Sequence, residues 1–335
     1  MKADWKEVSQ LLDKLPADLQ HPMYRPEYIN IMSANTPNSQ AYFFLYREDD
    51  AFFYHPFILT ESLVAGEKVL DAESVYGFGG AIYSTEDKAF LNRAYMAHDV
   101  FMTELGVSVE FIRFNPLLKN FAYYDGEIEF NRKVVTVDIS KDNFLSGIQS
   151  RTRSAIRKSI RQGVTVSHTK LNKDIQSFVQ LYYETMKRLN AEGFYFFKEE
   201  TLTQLINLPT CKLITASYDG KLIAAATFFC GGGCMEYHLS ASNELGMKLN
   251  ATKVIIAEAM ALGNDIGCKT LHLGGGLSNE DNDSLFSFKS LFSGDSSEYF
   301  IGKKIYKSEF YQKLKTEYVK LGLIHASNNK LIFYR

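Results

Sequence analysis

The chain has 335 residues, 46% of them hydrophobic and 23% charged, with 22 Gly and 7 Pro. That length and apolar share suit two cores of ordinary size and exclude a disordered, collagen-like or low-complexity chain. The formal net charge of −2 hides an asymmetry: residues 1–140 carry 12 Lys and Arg against 21 Asp and Glu, and residues 141–335 carry 25 against 18, so an anionic partner is expected to meet the second half.

Trp5 to Leu15 has apolar residues at helical spacing and stops at Pro16, and a second short helix is predicted around Arg25 to Ile29. Ala41 to Tyr46 and Ala51 to Ile58 read as an antiparallel pair about the acidic turn Glu48-Asp49-Asp50. After Tyr76-Gly77-Phe78-Gly79-Gly80 come a helix from Asp87 to Leu105 and a strand from Ser108 to Phe114. The second half repeats that order. A strand at Lys133 to Ile139 precedes helices at Phe144 to Gln162, Lys173 to Leu189 and Lys198 to Ile206, with a short strand at Val164 to His168. Cys211 to Tyr218 and Leu222 to Cys230 form a hairpin about Asp219-Gly220, and Cys234 to Ser240 adds a strand. A helix from Ala251 to Ile266 leads to the strand Thr270 to Leu273 and the run Gly274-Gly275-Gly276. Helix, three strands, helix, strand, found once in each half, is a repeated mixed α/β unit and not a Rossmann alternation. Two similar subdomains facing a cleft are expected. The 20 Tyr and 25 Phe would fill their cores and line part of that cleft.

Cys211, Cys230, Cys234 and Cys268 lack the short paired spacing of a zinc site and read as buried thiols. No metal is expected. The polar start Met1-Lys2-Ala3-Asp4-Trp5-Lys6 and the short apolar run Leu222 to Cys230 lead to the expectation of a cytoplasmic protein.

Arg151, Arg153, Arg157, Lys158 and Arg161 form the densest cationic segment, with Ile148, Ile156 and Ile160 expected to pack inward. Arg153, Arg157 and Arg161 share a helix face at i, i+4 and i+8. Such a ridge favours a phosphate-rich ligand, or else is a solvated face paired with carboxylates of the acidic half. The glycines after Leu273 leave room for a substrate or another backbone, or form a tight turn with no ligand. Neither they nor Gly77 to Gly80 make a Walker loop or a dinucleotide fingerprint. Glu280, Asp281 and Asp283 miss the calcium-loop pattern and read as a solvated loop.

Leu273-Gly274-Gly275-Gly276, Asp283 to Phe292 and Tyr299-Phe300-Ile301-Gly302-Lys303 together resemble the C-terminal signature of the FemABX-like peptidoglycan-bridge aminoacyltransferases and their GNAT-superfamily relatives. Arg157 to Val164, Tyr237 to Ser242, Tyr76 to Gly80 and Arg113-Phe114-Asn115-Pro116 are similar to further segments of that family. The resemblance implies two tandem GNAT-like subdomains, over residues 1–140 and 141–315, with 316–335 packing back on the first. It also implies acyl transfer to an amine of a cell-wall peptide or surface-polysaccharide precursor. The donor it points to is aminoacyl-tRNA, used as a co-substrate with no cofactor. Acetyl-CoA transfer to an amino sugar or small amine, and a non-catalytic module binding RNA or a nucleotide-linked glycan, are the alternatives. The segment Asn243 to Ala251 lacks the Arg/Gln-x-x-Gly-x-Gly/Ala loop of CoA-binding relatives.

Acyl transfer needs a deprotonated amine and a stabilised oxyanion. By resemblance, Lys289 is the cation near the ester or the donor's phosphate, with Phe288 stacking on a base or backing the site; the plain alternative is a surface lysine on an amphipathic helix. Tyr237 and His238 alternate along a strand beside the cleft, so one of them should face substrate, and His238 either relays a proton or is a satisfied core histidine. Arg153, Arg157, Arg161, Gly274 and Gly275 are the remaining donor-side candidates. Tyr76, Arg113 and Asn115 are the acceptor-side ones, with an inter-subdomain salt bridge as the competing role for Arg113. Expected partners are aminoacyl-tRNA and a nucleotide- or lipid-linked envelope precursor, with peripheral contact to a membrane.

Overall fold

The computed structural model describes residues 4–64, 66–141, 143–280 and 282–335; Asp281 of the acidic loop lies outside the described residues. The chain forms two compact units that are not consecutive segments. Unit 1 gathers the chain up to Leu15 with Met23–Asn131 and Tyr299–Arg335, and unit 2 gathers Pro16–Pro22 with Arg132–Glu298.

Unit 1 opens with α1 (Trp5–Leu12), capped by Asp4, whose carboxylate accepts the Lys6 N–H at 2.8 Å. Then comes α2 (Pro26–Asn35), with Pro in its first turn. Next are β1 (Ser39–Glu48) and β2 (Ala51–Val64). They join in a tight turn where Asp49 is left-handed (φ 50°), a conformation that Asp tolerates better than most side chains. They are followed by β3 (Glu67–Glu73), the short β4 (Ile82–Tyr83), α3 (Lys88–Leu105) and β5 (Val109–Arg113). Asp87 caps α3, and the left-handed Gly106 ends it. Sequence patterning anticipated α1, α2, α3 and the β1–β2 pair; β3, which alternates only weakly, it did not single out.

Unit 2 begins in β6 (Glu127–Asp138), then α4 (Ser150–Arg161), β7 (Thr165–Ser167), α5 (Asn172–Arg188) and α6 (Glu199–Asn207). The predicted helix from Phe144 divides: a 3-10 turn at Phe144–Gly147 precedes an extended Ile148. Arg153 then donates to the carbonyls of Ser146 and Ile148. Ile148 and Ile156 are buried, but Ile160 is 54% exposed, contrary to the expectation that it packs inward. Ser159, one residue earlier, takes the inward position and donates to the carbonyl of Leu249. The hairpin β8 (Cys211–Tyr218) and β9 (Lys221–Gly231) turns on Asp219 and Gly220, both left-handed. It continues through β10 (Cys234–Ser242), α7 (Glu244–Lys248), α8 (Ala251–Asp265), β11 (Thr270–Gly275) and α9 (Ser284–Lys289).

The chain finishes in unit 1 with β12 (Ser296–Ile305), which pairs antiparallel with β5, and α10 (Ser308–Lys320). Tyr311, Leu314, Leu331, Phe333 and Tyr334 pack there on Val64, Val69 and Val109.

Both units repeat one topology. In unit 1, β1, β2 and β3 are antiparallel neighbours, and β3 pairs parallel with β5 across the crossover helix α3. In unit 2, β8, β9 and β10 are antiparallel neighbours, and β10 pairs parallel with β11 across α8. A parallel pair needs such a crossover, and the helix covers the apolar face it spans. In unit 2 that face joins Ile255, Ile256, Ala259 and Met260 of α8 to Leu271 and Leu273. Among the described residues no helix is long and apolar enough to cross a membrane.

Candidate functional site

The parallel ladder between β10 and β11 runs Cys234↔Thr270, Met235↔Leu271, Glu236↔His272 and stops. Beyond it, β11 continues with β6 alone, at Gly274↔Val135 and Gly275↔Val134. In β10, the pairing to β9 shifts between Tyr237 and Leu239. His238 is the extra residue, and such a bulge breaks strict alternation of side chains. The two strands therefore part at Tyr237, and the side chain that comes to the gap is Lys289.

Lys289 is the last residue of α9 and only 7% exposed, so it is not the surface lysine that its helix alone would suggest. Its Nζ donates to the Gly275 carbonyl at 2.7 Å and stands 5.8 Å from the centre of the Tyr237 ring, within cation–π range. Gly274 is left-handed (φ 73°), and a Cβ there would lie 3.4 Å from that Nζ. Burial pulls the lysine down from 10.5 to about 8, while Glu236 and Asp283 pull the other way. At neutral pH it keeps its proton. Phe288 packs on the unit 2 core, edge-on to Phe292 at 5.9 Å.

Asp283 is what holds this lysine in place. Its carboxylate caps α9 through the Phe286 N–H (2.8 Å) and accepts the N–H groups of Leu277 (2.8 Å) and Ser278 (2.9 Å). These bonds hold its carboxyl down at about 2. It is a cap that ties the glycine turn to α9, and not a member of a solvated acidic loop. Arg132 donates to the Gly276 carbonyl at 2.6 Å from the other side of the turn. The spacing of Asp283 to the following apolar residues is an N-cap signal that the sequence does carry.

Behind the gap, Glu236 receives His272 Nδ1 at 2.7 and 2.8 Å, and His21 Nε2 lies 3.8 Å away. Burial opposes its charge, but these two imidazoles hold its carboxyl down at about 2. Nothing in the sequence pairs residues 21, 236 and 272: the β10–β11 register sets Glu236 beside His272, and His21 comes from a loop outside the strands. His238 sits edge-on to Phe229 at 4.9 Å, and burial lowers it to about 4, so the imidazole is neutral near pH 7. Burial raises the Tyr237 phenol to about 12.

Thus Lys289, Tyr237, Phe288, Gly274 and Gly275 come together. Of the basic helix, Arg153 is spent on backbone carbonyls. Arg157 and Arg161 are exposed on α4, and among the described residues of unit 2 neither forms an ion pair. Tyr76, Arg113 and Asn115 belong to unit 1. Arg113 lies 3.6 Å from Glu73 and donates to the Ser74 carbonyl at 3.3 Å; its ion-pair partner is in its own unit. Asn115 is buried and accepts the Leu117 and Leu118 N–H groups at 2.9 and 3.2 Å. The Tyr76 carbonyl accepts the Tyr28 hydroxyl at 2.8 Å.

The turn after β10 is filled. Asn243 Oδ1 accepts the Gly246 N–H at 2.9 Å, and the Met247, Leu249 and Asn250 N–H groups bond to carbonyls of the same turn. A Cβ at Gly246 would run into the Ile223 carbonyl and Ser242 Oγ. This glycine allows the close packing of the turn on β9.

Residues 149–283 match the acetyltransferase (GNAT) domain family. The curated UDP-N-acetylmuramoylpentapeptide-lysine N(6)-alanyltransferase of Weissella viridescens is 23% identical over 304 residues, 81% of this chain and 86% of that protein. The chain carries a GNAT acyltransferase domain and is similar to the FemABX-like transferases. The crystal structure of FemX superposes on it with a TM-score of 0.70 at 13% identity, over 93% of this chain and 98% of that one. A tandem GNAT protein from the clavulanic acid biosynthesis pathway gives 0.50 at 9%, over 90% and 96%. The fold is the tandem GNAT fold, and the enzyme is an acyl- or aminoacyltransferase.

Proposed function

We propose that this enzyme transfers an aminoacyl group from aminoacyl-tRNA to an amine of a cell-wall peptide carried on a nucleotide- or lipid-linked precursor. The observation that carries the reading is the buried, protonated Lys289 in the gap between β10 and β11. One of its N–H groups is bound to Gly275, and among the described residues it has no other hydrogen-bond acceptor. An amine attacking an ester carbonyl develops negative charge on oxygen, and a preorganised ammonium in a dry site stabilises that charge far better than water does. The same ammonium then serves the departing ribose oxygen. The reaction asks for no cofactor or metal; the donor is a co-substrate.

The turn at Asn243 to Asn250 supports an RNA donor over CoA, because its Gly246, Met247, Leu249 and Asn250 N–H groups are already bound. Exposed Arg157 and Arg161 suit a phosphate backbone. The alanyltransferase activity of the Weissella relative supports a pentapeptide lysine as acceptor. The test incubates the protein with UDP-N-acetylmuramoylpentapeptide and either alanyl-tRNA or acetyl-CoA, then weighs the product. A mass increase of one alanyl residue from the RNA donor is expected. An acetylated product, or none from the RNA, would overturn the proposal.

A further inference from the structure

Unit 1 contains a second group of polar side chains, fully enclosed and separate from the chemistry above. His55 on β2, His98 on α3 and Glu110 on β5 each have side chains 1% exposed. They are surrounded by aromatic rings: Phe44 meets His98 edge-on at 5.0 Å, Phe57 meets His55 at 6.1 Å, and the two imidazoles stack at 4.6 Å. Glu110 Oε1 lies 3.9 Å from His55 Nδ1 and 3.7 Å from His98 Nε2, too far for hydrogen bonds.

Both His55 nitrogens, His98 Nε2 and Glu110 Oε1 are buried without a hydrogen-bond partner. Buried polar atoms are rarely left so, and here they converge. The other carboxylate oxygen, Oε2, is held by the hydroxyls of Tyr124 (3.1 Å) and Tyr306 (3.4 Å), in the manner of outer partners that orient a ligating carboxylate. The nearby cation does not fill the gap, because Lys304 Nζ is bound to Asp99 at 2.7 Å and Asp125 at 2.8 Å.

We propose that His55, His98 and Glu110 form a structural site for a divalent transition-metal ion of the zinc type. The three candidate ligand atoms lie within 4.8 Å of one another. The two measured separations exceed by about half an ångström the roughly 3.3 Å between ligands of a tetrahedral ion with bonds of about 2.0–2.1 Å, a contraction within the reach of side-chain rotation. Two imidazoles and a carboxylate suit Zn²⁺ or Co²⁺. The enclosure makes the role structural, since all three side chains are shut off from solvent.

The test uses the full chain, stripped with a chelator and titrated with Co²⁺ alone and Zn²⁺ alone. Tetrahedral Co²⁺ absorption, one ion per chain and a raised Tm with Zn²⁺ are expected for the wild type and for His325→Ala, which alters an exposed imidazole. Glu110→Gln and His98→Gln should weaken binding by about 100-fold or more while the circular dichroism spectrum is retained. X-ray absorption of the Zn²⁺ form should show nitrogen and oxygen neighbours only. No Co²⁺ spectrum in the wild type overturns the proposal. So does a sulfur neighbour, which would place the ion at the His21, Cys234 and Glu236 group of unit 2.

Discussion

At the scale of single residues, two buried titratable groups give testable pH behaviour. Lys289 is lowered to about 8, so a mechanism that uses its ammonium loses kcat/KM as pH rises through about 8. A pH–rate profile still level a unit and a half above that value would remove the ammonium from the mechanism. Glu110 is the reverse case for stability. Its folded value of about 8 lies above the ordinary 4.5. The stability it contributes is therefore complete below about 4.5 and is lost as pH rises to about 8, on the order of a few kcal/mol. In chelator, Glu110→Gln should flatten that decline in denaturant-unfolding measurements. An equal slope in both proteins would show that Glu110 does not cause it.

At the scale of elements, the working surface is a short helix and a glycine turn fixed by one carboxylate. Asp283→Ala removes an N-cap and two loop bonds and should cost about 1–2 kcal/mol, with a larger fall in kcat than in substrate affinity because Lys289 is no longer placed. Unchanged turnover would mean that α9 holds without its cap. Gly274→Ala forces a side chain into a left-handed backbone beside Lys289; a loss of about 1–2 kcal/mol in unfolding free energy is expected. Much at this scale was legible: helix periodicity, the hairpin at Asp219-Gly220 and the strand-to-glycine transition at Leu273 are all local signals. The gap between β10 and β11 was not, because it depends on where a parallel ladder ends and on a bulge at His238. Neither leaves a mark in a run of residues. The burial of Lys289 was hidden for the same reason, since a six-residue helix gives no periodicity from which to read its inner face.

At the scale of the whole molecule, the repeat of two mixed α/β units was legible from element order, and the resemblance supplied the family. The return of the chain to unit 1 through β12 and α10 was less so, because the partners are distant: Phe333 and Tyr334 share a cluster with Val64 and Val69. Phe333→Ala should cost about 3 kcal/mol, measured by urea unfolding. A cost below about 1 kcal/mol would mean that the terminal segment adds little to the unit 1 core. The His55, His98 and Glu110 group was invisible for a related reason, since its members lie 43 and 12 residues apart with no short ligand pair for a reader to notice. The most direct test of the account is the single-turnover rate of aminoacyl transfer by Lys289→Met, with donor and acceptor affinities measured beside it. A fall of about 100-fold or more at nearly unchanged affinity is predicted, and a rate equal to the wild type would contradict the placing of the catalytic cation.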